Sequence, residues 1–207
     1  MQDAFELAQQ GGWPMIFLAM CSVAALTIII ERLVGLRRSR NIPPSIIDLL
    51  EVYHGEESAE AVMQACRHNG RPFARLIESL ISSREMTHAQ LQDTLNVSGR
   101  RQVERMERGL LVLEVVAGIS PLIGLLGTVL GMVTVFNAIS TYGLGDTQVL
   151  SDGISKALVT TVAGLSVAIP ALAFHSYFSR RVESMAIEMQ DRATHFMAKL
   201  QENTKTA

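Results

Sequence analysis

Three long apolar stretches interrupt an otherwise polar chain. They cover residues 14–31, 115–139 and 153–178, and their lengths match the roughly 17–25 helical residues that cross a bilayer. Elsewhere apolar positions recur at steps of three and four, as they do from Phe73 to Ile81, which predicts amphipathic helices. No stretch shows the alternation of a half-buried strand. The pattern therefore predicts an all-α integral membrane protein with three transmembrane helices.

The basic residues predict the orientation of these helices. Arginines follow the first stretch, precede the second and follow the third, whereas the connection at 140–152 has no Lys or Arg; the arginines are Arg32, Arg37, Arg38, Arg40, Arg100, Arg101, Arg105, Arg108, Arg180 and Arg181. Because basic residues are enriched on the cytoplasmic side, the N-terminus is predicted outside and the C-terminus inside. Asp3 and Glu6 precede the first stretch without any basic residue, so we expect a retained helix rather than a cleaved signal peptide.

This topology predicts seven successive segments. The transmembrane helices at 14–31, 115–139 and 153–178 separate a periplasmic N-terminal segment at 1–13, a cytoplasmic helical domain at 32–114, a periplasmic loop at 140–152 and a cytoplasmic C-terminal helix and tail at 179–207. Within the cytoplasmic domain, Asn41–Pro44 predicts a break because proline disfavours helix in the residue before it. His54–Gly55 and Asn69–Gly70 are predicted turns.

Two helices are predicted to extend from the membrane into the cytoplasm. Residues 88–108 are polar and enter the second stretch without a proline or a glycine pair, which predicts one continuous helix. The C-terminal segment keeps a seam with three- and four-residue spacing, at Val182, Met185, Met189, Ala193, Phe196 and Leu200. That spacing is typical of a coiled coil. We expect this segment to continue the third span and to pack on its own subunit or on copies of itself. The alternative is a solvated amphipathic tail.

Small residues crowd the second apolar stretch, which a simple lipid anchor does not need. Ser120, Gly124, Gly127, Thr128 and Gly131 recur at helical spacing and share one face. That face suits either close helix contact or a narrow polar path. Gly164 offers a similar small position in the third stretch. Pro121 and Pro170 are predicted to bend their helices. These bends either shape the pore or are simply tolerated.

Two motifs in these stretches resemble those of a known family. Residues 121–132, PLIGLLGTVLGM, and residues 153–165, GISKALVTTVAGL, followed by AIPA at 168–171, resemble the MotA/TolQ/ExbB proton-channel family. Glu31-Arg32-Leu33 at the end of the first stretch is also similar. The length and the three spans are most like the ExbB/TolQ branch, and ExbB in particular.

The resemblance implies an ion-driven motor of the bacterial inner membrane. It implies a pentameric ring of this chain, in the lipid bilayer, around two single-span partner helices of the ExbD/TolR type. An Asp on the partner helix would carry the ion, and a TonB- or TolA-like transducer would use the energy. The leading function is therefore a ring subunit that energises TonB-dependent outer-membrane uptake. Proton and sodium remain open as the transported ion.

The resemblance also places Thr128 and Thr161 on the ion path. A hydroxyl group both donates and accepts hydrogen bonds, so it can relay a proton without a buried charge. Thr160 and Lys156 are further candidates on the same span. The alternative for Thr128 and Thr161 is that each hydroxyl bonds back to its own helix.

Lys156 departs from the ExbB/TolQ pattern, in which we expect Glu at this position. It either extends outward to the membrane interface or points into the ring, where it would pair with the partner's Asp or with Asp152. Glu114 lies at the cytoplasmic start of the second span and His175 at the cytoplasmic end of the third. Glu114 is read either as a partner of an Arg beside the span or as a participant in ion exit. His175 is read either as an interfacial residue or as a site of proton exchange.

Other classes of function have less support. A TolQ-like role in envelope integrity, a partner-independent homo-oligomeric channel and a scaffold that only packs helices remain alternatives. The basic clusters lie beside the spans and need no nucleic acid. The sequence has no metal-ligand cluster, nucleotide-binding loop or nucleophile-and-base arrangement, so no cofactor, metal or enzymatic activity is expected.

Overall fold

In the computed structural model of the chain, residues 12–53, 56–142 and 147–206 are described. They form eight α-helices in the order α1 Trp13–Gly35, α2 Arg38–Asn41, α3 Pro44–Glu51, α4 Glu56–Asn69, α5 Pro72–Ser82, α6 His88–Glu107, α7 Leu110–Tyr142 and α8 Thr147–Thr206. The described residues include no strand, so the all-α prediction is confirmed. The predicted turn at His54–Gly55, most of the N-terminal segment and the centre of the 140–152 loop lie outside the described residues.

Three helices are long and apolar enough to cross a membrane. They are Trp13–Gly35, Leu110–Ser140 and the apolar part of Ser151–Gln201. These helices contain the three predicted spans and confirm an integral membrane protein with three transmembrane helices. The N-out, C-in orientation and the segment boundaries stay predictions.

The predicted continuous helix from His88 into the second span is wrong. Helix α6 ends at Glu107 and α7 begins at Leu110, with Gly109 between them at φ 83°. This left-handed backbone conformation is open to glycine and costs other residues energy. Arg108 already leaves the helical conformation at ψ 134°, and Gly109 then takes the left-handed turn. Gly70 adopts φ 58° after α4, which confirms the predicted turn at Asn69–Gly70.

The chain divides into two compact units. The first contains the described residues up to Glu31 together with Gly109–Ser176. The second contains Arg32–Arg108 and the chain from Tyr177 onward.

Large side chains form the core of the second unit. Phe73, Leu76, Ile77 and Leu80 on α5 are at most 1% exposed. All six residues of the predicted C-terminal seam are also buried: Val182, Met185, Met189, Ala193, Phe196 and Leu200. Phe196 packs edge-on against Tyr53 with 5.1 Å between ring centroids. The seam therefore packs on its own subunit, as a continuation of the helix that carries the third span.

Polar contacts fasten α8 to the segment that follows α1. The Arg38 guanidinium donates two hydrogen bonds to the Glu188 carboxylate, one of them at 2.8 Å from Nε. Arg192 donates to the same carboxylate from one turn along α8. The Arg181 Nε donates to the Leu36 carbonyl at 2.8 Å, which satisfies a carbonyl close to the end of α1.

Candidate ion-path site

The two helices α7 and α8 meet along an antiparallel seam of small residues. Gly131 faces Ala157, Gly127 faces Thr160, and Gly124 faces Thr161 and Gly164. A Cβ added to Gly164 would lie 2.6 Å from the Ser120 carbonyl oxygen, and one added to Gly124 would lie 2.9 Å from the Thr160 carbonyl oxygen. Side chains at these positions would collide with backbone, so the glycines set how closely the helices approach.

A cluster of three hydroxyls lies where the seam is tightest. The Thr128 and Thr161 Oγ1 atoms are 2.9 Å apart, and each lies 3.2 Å from the Gly124 carbonyl oxygen. The Thr160 hydroxyl donates to the Ala157 carbonyl at 2.8 Å and lies 3.4 Å from the same Gly124 carbonyl. The structure therefore brings together Thr128, Thr161 and Thr160 around one backbone carbonyl.

The hydroxyl protons of this cluster can be arranged in two directions. Each hydroxyl has one proton to donate, and Thr160 is satisfied by the short bond within its own helix. When the other two hydroxyls bond to each other, one donates to its neighbour and the neighbour donates to the Gly124 carbonyl. The order can be Thr128 to Thr161 to Gly124 or the reverse, with nearly equal distances. A pair of hydroxyls that can reverse its direction is suited to passing a proton.

The threonines differ in burial and in their bonds to the backbone. Thr160 is 2% exposed, under Gly127, and bonds back within α8. Thr128 also reaches a carbonyl of its own helix, whereas Thr161 bonds across to α7. Both are half-buried at one edge of the seam. The back-bonding alternative thus describes Thr160 well, Thr128 in part, and Thr161 poorly.

Ser120, whose backbone carbonyl faces Gly164, has its hydroxyl buried without a hydrogen-bond partner among the described residues. Its side chain is fully covered.

The remaining predicted residues lie around this cluster. Lys156 is exposed on α8, beside the seam position that Ala157 fills, and makes no ion pair with the equally exposed Asp152. Pro121 and Pro170 both lie inside their helices. Since proline has no N–H, Pro121 leaves the carbonyl of Ala117 without its usual intrahelical donor.

Glu114 and His175 meet at the other end of the same two helices. The His175 Nε2 lies 4.0 Å from a Glu114 carboxylate oxygen. The sequence indicated each residue separately but not the pair, because their proximity depends on how α7 and α8 are aligned. Among the described residues, no group of three or more His, Cys, Asp or Glu side chains could hold a metal ion.

Comparison with known proteins identifies the family. A model described as the MotA/TolQ/ExbB proton channel family matches residues 64–191, which is more than half of the chain and includes the whole hydroxyl cluster. The chain belongs to this family.

Named relatives fall in both the ExbB and the TolQ groups. The chain is 29% identical over 180 residues to a biopolymer transport protein exbB1 of Vibrio cholerae, covering 84% of this chain and 78% of the relative. It is 26% identical over 204 residues to a Tol-Pal system protein TolQ of Pseudomonas aeruginosa, covering 93% and 88%. A putative ExbB homolog of Methanothermobacter thermautotrophicus is 27% identical over 184 residues, covering 86% of this chain but 63% of that protein.

Family membership settles the broad class of the protein. Together with the three apolar helices, it confirms a multi-pass protein of the inner membrane in the ExbB/TolQ branch. The family consists of proton-channel and transport components and is not a family of enzymes.

Proposed function

We propose that this chain is the ring subunit of an ion-driven motor that energises TonB-dependent uptake across the outer membrane. Five copies would surround two single-span helices of an ExbD/TolR-like partner, whose intramembrane Asp would carry a proton. A TonB-like transducer would take up the resulting mechanical work. Family membership supports the motor class, and the similarity to the exbB1 protein supports uptake as its purpose.

The Thr128–Thr161 contact is the observation that carries this proposal. Two hydroxyls from different spans meet at 2.9 Å at the edge of a seam in which glycines bring the two helices into close contact. A polar contact in a membrane span is costly unless it is satisfied, and it commonly marks a functional path. The pair could receive a proton from the partner's Asp and pass it on by reversing the direction of its hydrogen bonds.

Proton flux through vesicles tests the role of the pair. The chain would be purified with a co-expressed single-span partner and reconstituted with a pH-sensitive dye inside the vesicles. Because valine keeps the shape of threonine and removes the hydroxyl, Thr128→Val and Thr161→Val are each expected to lower flux about tenfold or more. Thr134→Val is the matched control, since the Thr134 hydroxyl is exposed and bonds back to the Leu130 carbonyl within α7. Equal flux in all three variants would contradict the proposal.

Native mass spectrometry tests the assembly independently of transport. We expect a pentamer of this chain that gains two copies of the partner on co-expression. A monomer, or an oligomer that retains no partner, would contradict the two-part motor.

A TolQ-like role in envelope integrity is the second candidate. It is favoured by the match to a TolQ protein over 93% of this chain. Deleting the gene separates the two roles. Loss of nutrient uptake through outer-membrane receptors supports the uptake motor, whereas sensitivity to detergents with normal uptake supports the envelope role.

We further propose that Lys156 adjusts ion entry and does not carry the proton. Its side chain is exposed next to the seam, where it can reach a partner helix or the membrane interface. Lys156→Gln is expected to change flux about twofold to fivefold, less than the loss from Thr128→Val. A loss as large as that of Thr128→Val would assign Lys156 to the path itself.

A further inference from the structure

Glu114 and His175 form a second polar pair, about four helical turns from Thr128 and Thr161 and on the same edge of the seam. Glu114 is 14 residues from Thr128 on α7, and His175 is 14 residues from Thr161 on α8. At 3.6 residues per turn this spacing is close to four turns, so each residue returns to within about 40° of the threonine on its own helix. The two pairs therefore lie on one edge of the seam, about 21 Å apart along the helices.

A backbone acceptor lies on the same edge between the two pairs. Pro121 and Ala117 are half-buried there. Because Pro121 has no N–H, the Ala117 carbonyl lacks its usual donor four residues along the helix, and a water or a hydroxyl can replace that donor. This carbonyl is one helical turn from Glu114. Ser120 and Thr160 are the other polar residues described along the seam, and the rest are glycine, alanine or larger apolar side chains.

The chemistry of the far pair differs from that of the threonines. A hydroxyl relays a proton but does not hold it at neutral pH, whereas imidazole binds and releases one in the range of about pH 5–8. The His175 side chain is 22% exposed and that of Glu114 is 64% exposed. The imidazole is thus largely covered beside the seam and the carboxylate lies at the surface of the chain, at a separation that one water molecule can bridge.

The first unit has few other charged groups that could lie beside the His175 imidazole. Its described titratable or charged side chains are Cys21, Glu31, Glu114, Asp152, Lys156 and His175. Asp152 and Lys156 lie on α8 near its other end, and Glu114 is the group that the structure places beside the imidazole.

We propose that Glu114 and His175 form a proton-exchange pair, at which protons leaving the threonine cluster pass between the membrane path and the aqueous phase. The neutral imidazole accepts a proton at one nitrogen, and the nearby carboxylate stabilises the resulting imidazolium. The proton then passes to water, and the imidazole returns to its neutral form. This inference rests on the proposed function.

Proton flux in the reconstituted complex tests the pair. His175→Gln keeps a polar side chain but cannot be protonated, and we expect it to lower flux about tenfold. Glu114→Gln is expected to lower flux about threefold. The matched control is His195→Gln, because His195 also lies 3.7 Å from a carboxylate on α8, at Asp191, but is 82% exposed in the second unit.

The same set of variants separates failure of this inference from failure of the proposed function. If Thr128→Val stops flux and both His175→Gln and Glu114→Gln transport like wild type, the exchange pair is overturned and the motor stands. If Thr128→Val transports normally, or the wild-type complex carries no protons, the proposed function is overturned and the pair with it. A loss in His195→Gln equal to that in His175→Gln would also overturn the pair.

A second measurement needs no partner. The ¹⁵N spectrum of the imidazoles in membranes that contain the chain should show His175 exchanging its proton with water, and its shifts should change in Glu114→Gln. A His175 imidazole that does not exchange its proton with water and whose shifts are the same in Glu114→Gln would overturn the proposal.

Discussion

The two units of this chain hold their helices together in opposite ways. In the first unit, α7 and α8 approach until backbone meets backbone, through glycines that leave no room for a methyl group. In the second unit, Phe73, Phe196 and a set of leucines and isoleucines fill the space between helices. Water drives the burial of large apolar side chains, but lipid is as apolar as leucine and gives no such gain. Close approach and hydrogen bonds must therefore hold the helices together in the membrane.

The close packing of helices in the first unit also matters for function. A seam closed by glycine can bring two threonine hydroxyls to 2.9 Å, which a seam of large side chains would keep apart. The packing that stabilises α7 against α8 thus also builds the candidate ion path. In the second unit, the described helices pack without forming a comparable buried hydroxyl cluster.

The largest expected effect removes a large side chain from the second unit. Phe73 is fully buried, so Phe73→Ala leaves a cavity and should lower the free energy of unfolding of this unit by about 3–5 kcal/mol. Alkylation of Cys66 measures this loss of stability, and Cys21→Ala removes the other cysteine. Burial covers the Cys66 thiol and raises its pKa to about 12, so alkylation at pH 8 follows unfolding.

Val97→Ala is the matched control, because Val97 is 52% exposed on α6 and its loss should change labelling little. Equal labelling rates in Phe73→Ala and Val97→Ala would contradict a core held by large side chains.

The second prediction adds one methyl group to the seam of the first unit. Gly164→Ala places a Cβ 2.6 Å from the Ser120 carbonyl, and neither backbone can move away cheaply. We expect a loss of about 1–3 kcal/mol, as for overpacking, measured as earlier loss of helix circular dichroism on heating in detergent. Gly118→Ala is the control on α7, where a Cβ would meet nothing within 4 Å. If Gly164→Ala is as stable as Gly118→Ala, the helices are not held at backbone contact.

The periodic elements could be predicted from the sequence, but the contacts between them could not. The six positions of the C-terminal seam are all buried because helical spacing fixes which residues share a face. The break at Gly109 was missed because an isolated glycine is often tolerated within a helix. The positive φ of Gly109 depends on the direction of the chain between α6 and α7, which the local sequence does not determine.

The candidate site shows the same limit. Thr160 and Thr161 are adjacent in sequence, yet about 100° of helix rotation buries one in the seam and turns the other toward Thr128. The resemblance to the family indicated the threonines, but the spacing of residues did not pair them. The sequence did not pair Glu114 with His175 either, because neither helix alone determines how two antiparallel helices align.

A methyl group added at an open helical position of the second unit should raise its stability. Gly99 lies inside α6 of the second unit, and a Cβ there would meet nothing within 4 Å. Gly99→Ala should therefore stabilise the unit by about 0.5–1 kcal/mol, because alanine loses less backbone freedom than glycine on forming a helix. The Cys66 labelling assay would show slower alkylation. Faster alkylation would mean that the face of α6 around Gly99 is in contact after all.

The smallest effect concerns the surface charges that fasten α8 in the second unit. The hydrogen bond from Arg38, followed by that from Arg192, lowers the pKa of the Glu188 carboxylate below its usual 4.5. Because the folded pKa lies below the unfolded one, this contribution to stability is complete above the unfolded value and is lost as the pH falls through the folded value. Glu188→Gln should lower Tm by about 1–2 °C at pH 7, given the weakness of exposed ion pairs.

The pH dependence separates this contact from a purely steric role of Glu188. The difference in Tm between wild type and Glu188→Gln should shrink as the pH falls below about 4.5, since the wild-type carboxylate then becomes neutral as well. Glu183→Gln, an exposed change on the same helix, should leave Tm unchanged throughout. A difference for Glu188→Gln that is constant from pH 7 to pH 3 would show that shape, and not charge, fastens this part of α8. The second unit would then depend on packing alone, and the contrast with the hydrogen-bonded seam would be sharper.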